Sequence, residues 1–195
     1  MPKTDRLPLI VAGLLCCVAV GQPARAHERF GIAVDAGHGI RSFGAPYGTR
    51  AIGLRLRWSW GPLWRLPGAV VSSYGEFDVH RLKSDPGVTG VTSLTEVGVT
   101  PVLRLRTRRP LFAAGPWPYL EIGVGVHLLS HAELGNKFLS TAFQFGPLIG
   151  AGLLLGAHRQ FEVGVRLQHL SNANIRLPNP GINLAQISLG YWFST

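Results

Sequence analysis

The chain alternates. From 52 to 60, Ile52, Leu54, Leu56, Trp58 and Trp60 share one parity, and Gly53, Arg55, Arg57 and Ser59 share the other. Segment 94–106 sets Val97, Val99, Leu103 and Leu105 against Glu96, Thr100, Arg104 and Arg106. Segment 119–129 sets Leu120, Ile122, Val124, Val126 and Leu128 against Tyr119, Glu121, Gly123, Gly125 and His127. Near the C-terminus, Ala185, Ile187, Leu189, Tyr191 and Phe193 oppose Gln186, Ser188 and Gly190. A period of two puts successive side chains on opposite faces of an extended chain, which is the pattern of strands rather than helices. Eight such segments are expected, over 28–38, 49–60, 69–80, 92–106, 118–129, 139–155, 161–171 and 183–193. The fold class is therefore all-β.

The inward face follows from composition. A soluble barrel buries its apolar face, whereas a membrane barrel turns that face to lipid and keeps charges in the lumen. Here the polar faces carry both signs, with Arg55, Arg57, Glu76, Asp78, His80, Glu96, Arg104, Arg106, Glu121, Glu162 and Arg166. That mixture suits a narrow, self-neutralising lumen. Aromatic residues lie near strand ends on the apolar faces (Trp58, Trp60, Tyr191, Phe193), as in interfacial girdles. The expectation is an eight-stranded antiparallel transmembrane β-barrel of the outer-membrane type. A soluble lipocalin-like barrel is the alternative. The run "FQFGPLIGAGLLLGA" (143–157) contains G-x-x-x-G, but it is short for a membrane helix and Pro147 interrupts it. Gly146, Gly150, Gly152 and Gly156 share one parity with Gln144, so the run reads as a strand with a small-residue lumen face.

The first residues look like a leader. Lys3 and Arg6 precede an apolar stretch from Leu7 to Val20, and Ala24-Arg25-Ala26 matches an A-x-A cleavage pattern. Residues 1–26 are expected to be removed, leaving 27–195 as one barrel domain. Cys16 and Cys17 would leave with the leader, so disulfide, thiolate and cysteine-metal chemistry are not expected. Losing Lys3, Arg6, Arg25 and Asp5 takes the formal charge from +9 to +7. A basic exported protein suits an anionic lipid head group; dispersed arginines and export argue against nucleic acid.

Eight antiparallel strands leave both termini at one end, which in outer-membrane barrels is periplasmic, with short turns there and longer loops outside. Strand seven then runs outward and 172–182 is an extracellular loop. On that strand Val163, Val165, Leu167, His169 and Ser171 share the lipid-facing parity. His169-x-Ser171 is the pairing of a general base with a nucleophile, as acyl transfer requires. Asn172, or backbone N–H groups toward Asn174, would donate to the oxyanion. The plain alternative is two ordinary polar residues at a membrane interface.

The run "HLSNANIRLPNPGIN", followed by a final strand with aromatic residues, resembles the lipid A 3-O-deacylase family, the PagL-type outer-membrane enzymes. The likeness is specific over 161–193 and looser upstream, where "YLEIGVGVHLLS" also has the family look. It implies Ser171 as nucleophile, His169 as general base and Asn172 in the oxyanion hole. It implies hydrolysis of the 3-O-linked 3-hydroxyacyl chain of lipid A, without metal or cofactor, in a Gram-negative outer membrane with lipopolysaccharide as partner. One position departs. Asn183 stands where the family pattern has an acidic residue. An amide can hold an imidazole tautomer but supplies no charge to stabilise imidazolium. Glu162 is the nearest acid in sequence, and its parity points into the lumen.

Two further groups carry charge or ligand atoms. Glu76-x-Asp78-x-His80 puts three ligand types on one face, and reads either as a cation site or as lumenal partners of Arg55, Arg57, Arg104 and Arg106. Arg176, in the loop after Ser171, would pair with a lipid A phosphate or stay solvated. The competing functional reading is a non-catalytic small barrel with a structural or adhesive role.

Overall fold

The computed structural model describes residues 29–40, 48–113 and 115–194. The expected leader and cleavage point lie outside the described residues. Strands run β1 Arg29–Gly39, β2 Arg50–Arg65, β3 Ala69–Lys83, β4 Ser93–Thr107 and β5 Trp117–Leu129. A two-residue pair follows, β6 Glu133–Leu134 and β7 Lys137–Phe138. The chain ends in β8 Phe143–Leu155, β9 Phe161–Leu170 and β10 Ile182–Ser194. All but the small pair close into one barrel, in the order β1-β10-β9-β8-β5-β4-β3-β2. Every neighbouring pair is antiparallel. This is the expected eight-stranded outer-membrane-type barrel.

The faces fall as the alternation requires. Ile52 is 66% and Val165 59% exposed, while Arg55 and Arg57 on the opposite parity are 1% exposed. An apolar outer wall with a charged interior is stable only where lipid covers the wall.

Four guanidinium groups and four carboxylates interlock in the lumen. Arg55 bonds Asp35 at 2.5 Å and Glu76 at 2.8 Å; Arg166 bonds Glu76 at 2.6 Å and Glu121 at 2.9 Å. Arg104 bonds Glu121 at 2.7 Å and Glu162 at 2.9 Å, and Arg57 bonds Glu162 at 2.9 Å. Eight strands leave room for side chains and little else, so each buried charge must meet a protein partner. Toward the end where β9 stops, an apolar plug that includes Leu82, Leu94, Leu139, Leu170 and Ile182 seals the lumen.

Three sequence expectations change. The segment placed at 139–155 starts as a barrel strand only at Phe143, because 130–142 forms a loop carrying β6 and β7, with Ser140 at φ 64°. The Glu76-x-Asp78-x-His80 group divides. Glu76 joins arginines as one reading had it, but His80 Nδ1 lies 2.8 Å from Glu96 and 3.2 Å from Asp78. Asp78, Glu96 and His127 each bring a ligand atom within 4.8 Å of the others. Finally, Glu76 is paired with Arg55 and Arg166, while Arg106 Nη1 donates to Thr107 O at 2.8 Å near the end of β4.

The loops differ at the two ends. Residues 84–92, 130–142 and 171–181 link strands at one end, and 66–68, 108–116 and 156–160 at the other, the end holding Arg29 and Ser194. The longer set is the extracellular one by the rule for such barrels.

Candidate active site

His169 and Ser171 lie where β9 leaves the barrel at the long-loop end. Residues i and i+2 of a strand share a face, so both side chains project onto the lipid-facing wall. Both are half-buried. Ser171 is held just beyond the strand by Phe145 of β8: its N–H donates to Phe145 O at 3.0 Å, and Phe145 N–H donates to Ser171 O at 2.7 Å. Phe145 and Phe143 pack edge to face, with centroids 5.1 Å apart. An aromatic wall thus flanks the serine.

Asn183 of β10 is the direct cross-strand partner of His169. Its Oδ1 lies 2.8 Å from His169 Nδ1. An amide oxygen can only accept, so Nδ1 carries the proton and Nε2 is left with a free lone pair. That is the tautomer a general base needs. Glu162 points inward, where it takes bonds from Arg57, Arg104, Tyr119 and Trp192. It has no route to His169.

Gly181 backs the imidazole. It adopts φ +64°, and a Cβ added there would fall 2.6 Å from His169 Cε1. Only glycine combines that backbone with that approach.

Asn172 is fully buried and structural. Its Nδ2 donates to Leu139 O at 3.0 Å and Arg176 O at 2.8 Å, and its backbone N–H donates to Asn179 Oδ1 at 3.0 Å. Ile175 N–H closes a turn on Asn172 O at 3.0 Å, with Ala173 and Asn174 at φ 52° and 63°. Positive φ at both central residues is the type I′ signature, for which asparagine is suited. Asn179 Nδ2 reaches Asn174 Oδ1 at 3.0 Å. Among the described residues, no hydrogen bond engages the N–H of Ala173 or Asn174. Arg176 is exposed and enters through its carbonyl.

The structure therefore gathers His169, Ser171, Asn172, Asn174 and Asn183 at one corner. Asn179, Gly181, Phe145 and Leu139 belong to the same corner; Phe145 and Leu139 carry no sequence signal for it, and Asn179 and Gly181 only that of a turn. The "NPG" of residues 179–181 was a signal for a constrained turn, but nothing in it named the imidazole as the group it supports.

Fold and site together define a small outer-membrane-type barrel with a histidine–serine pair on its outer wall rather than in its lumen. Residues 50–192 match the model of the family described as Lipid A 3-O-deacylase (PagL). The chain belongs to that family.

Two curated relatives are similar to it. The lipid A deacylase PagL of Bordetella bronchiseptica is 40% identical over 75 residues, covering 38% of this chain and 41% of the relative. That of Pseudomonas aeruginosa is 43% identical over 65 residues, covering 33% and 36%. The matches thus span about two fifths of the relatives' length. Among solved structures, the outer membrane enzyme PagL superposes with a TM-score of 0.70 at 23% identity, over 83% of this chain and 98% of that one. Neisserial surface protein A gives 0.51 at 14% identity, over 87% and 98%. Both are likenesses of fold.

Proposed function

We propose that this chain is an outer-membrane esterase of Gram-negative bacteria that removes the 3-O-linked 3-hydroxyacyl chain of lipid A. The observation that carries the reading is the His169–Asn183 bond beside Ser171 on the lipid-facing wall. A substrate held in the outer leaflet reaches such a pair by lateral diffusion, with no need of a pocket through the lumen. Family membership supports the ester of lipid A as the bond attacked.

In the proposed reaction Ser171 Oγ attacks the acyl carbonyl as His169 Nε2 takes its proton. Collapse of the tetrahedral intermediate expels the sugar oxygen, which receives that proton, and leaves an acyl-Ser171 ester. Water, deprotonated by His169, attacks the ester; the 3-hydroxy fatty acid departs and Ser171 regains its proton. Asn183 holds the tautomer without adding charge. The oxyanion falls to the backbone N–H groups of Ala173 and Asn174. Asn172, first expected to donate its own amide, supports them by fixing the turn, since its donors are spent on Leu139, Arg176 and Asn179. Arg176, exposed in the same loop, is assigned to a lipid A phosphate. The chemistry calls for no metal or cofactor.

The test is mass spectrometry of lipid A from a host without such activity that expresses the chain. Loss of one 3-hydroxyacyl chain, absent in Ser171→Ala and His169→Ala, is the expected result. Unaltered lipid A from a folded, inserted barrel would sink the proposal. One observation favours the second reading, a non-catalytic barrel: Asn183 in the place of an acid. That reading expects Ser171→Ala to change nothing.

A further inference from the structure

A trough of about 830 Å³ runs along the outer wall of β4, β5, β8 and β9 at the short-turn end. Its walls include Leu105, Leu120, Leu153 and Val165, and its lower edge is formed by Ala69, Thr107 and Pro118. The dip has a local cause. Ala151 sits opposite Leu120 on β5 and Val165 on β9, so one methyl group lies between two larger side chains.

The lower edge is charged. Ala69 and Thr107 are cross-strand partners. The turn before Ala69 follows Arg65, and the turn after Thr107 opens with Arg108 and Arg109; all three are exposed. Arg108 N–H donates to Gly68 O at 3.0 Å, which ties the two turns into one rim. No Asp or Glu occurs in residues 61–75 or 105–120. Trp64 and Phe112, 58% and 72% exposed, lie in the same two segments. Exposed aromatic rings beside arginines mark the level of the membrane–water interface.

We propose that this trough binds an anionic glycerophospholipid of the periplasmic leaflet, with an acyl chain along Ala151 and its phosphate on Arg65, Arg108 and Arg109. The combination selects the occupant. A zwitterionic lipid brings the same phosphate but also an ammonium group, which three neighbouring arginines repel. A second barrel packed across a two-fold axis would set this acid-free rim against itself, arginine facing arginine. The site lies at the other end of the barrel from Ser171. It rests on the membrane placement proposed above but not on the chemistry there.

The experiment is native mass spectrometry of the purified full-length chain in detergent. It is titrated with phosphatidylglycerol or with phosphatidylethanolamine bearing the same acyl chains. Phosphatidylglycerol should be retained at roughly tenfold lower concentration or better, given three cations at a membrane surface. Arg65→Gln, Arg108→Gln and Arg109→Gln combined should abolish the preference. Ala151→Phe should weaken retention of both lipids; Ala69→Phe serves the same purpose if that variant fails to fold. Heat-modifiable gel mobility reports folding throughout. Equal retention of the two lipids, a preference that survives the triple substitution, or a dimer that excludes lipid would overturn the proposal. None of these outcomes depends on lipid A hydrolysis, so the two proposals fail separately.

Discussion

His169 is held from two sides, by Asn183 at Nδ1 and by Gly181 against the Cε1 edge of the ring. Each contact makes its own prediction. Gly181→Ala puts a methyl group against the ring, so the imidazole must leave its present position. A displacement on the ångström scale lowers kcat by about 100-fold in a positioned nucleophile–base pair. Lipid A deacylation in vesicles, read beside heat-modifiable mobility, should show that loss in a barrel that still folds. Asn183→Leu removes the bond that fixes the tautomer and should lower kcat by about tenfold or more. Asn183→Glu should raise kcat, because a carboxylate also stabilises the imidazolium formed as Ser171 attacks. If Asn183→Leu deacylates as fast as the parent, Asn183 does not orient the base.

Asn172 works at the scale of elements. Its Nδ2 joins the loop after β9 to the loop before β8 through Leu139 O and braces its own loop through Arg176 O, and its backbone N–H donates to Asn179 Oδ1. Asn172→Ala leaves the carbonyls of Leu139 and Arg176 without that donor, at a cost of about 2 kcal/mol for two neutral hydrogen bonds. Hydrogen exchange should quicken in 139–142 and 172–181, while β4 and β5 keep their protection. Unchanged exchange in both loops would show that other contacts hold them. The contrast with the strands explains what was legible beforehand. Alternation placed every barrel strand but β2 within four residues at either end, because one face must meet lipid and the other the lumen; β2 runs five residues past its expected end, through bulges after Ser59 and Pro62. The same parity put His169, Ser171 and Asn183 on one wall. The bond from Asn172 to Leu139 spans 33 positions and joins two irregular segments, where no periodicity ties one residue to another. Gly181 was visible as a turn glycine, yet its contact with His169 depends on how β10 re-enters the barrel. Asp78 and His80 parted from Glu76 for a related reason: parity sets the face, whereas the height at which partners meet follows from the cross-strand register.

The whole molecule separates scaffold from chemistry. The lumen holds the charge network and the plug, and the proposed reaction takes place on the outer wall. Arg166 bonds Glu76 and Glu121 and is buried. Arg166→Met leaves Glu76 to Arg55 and Glu121 to Arg104, so four lumen carboxylates face three guanidinium groups, and removing one partner of a buried ion network costs about 3–5 kcal/mol. No contact links Arg166 to His169, so deacylation per folded molecule should stay within twofold of the parent, or about 0.4 kcal/mol in barrier. Ser171→Ala should do the converse. Its hydroxyl supports no described hydrogen bond, so urea unfolding from vesicles should shift by less than about 0.5 kcal/mol. Deacylation should disappear. Measuring both quantities on both variants decides the matter. If Arg166→Met lost activity in proportion to stability, lumen and outer wall would form one cooperative unit, and the site would depend on the charge network beneath it.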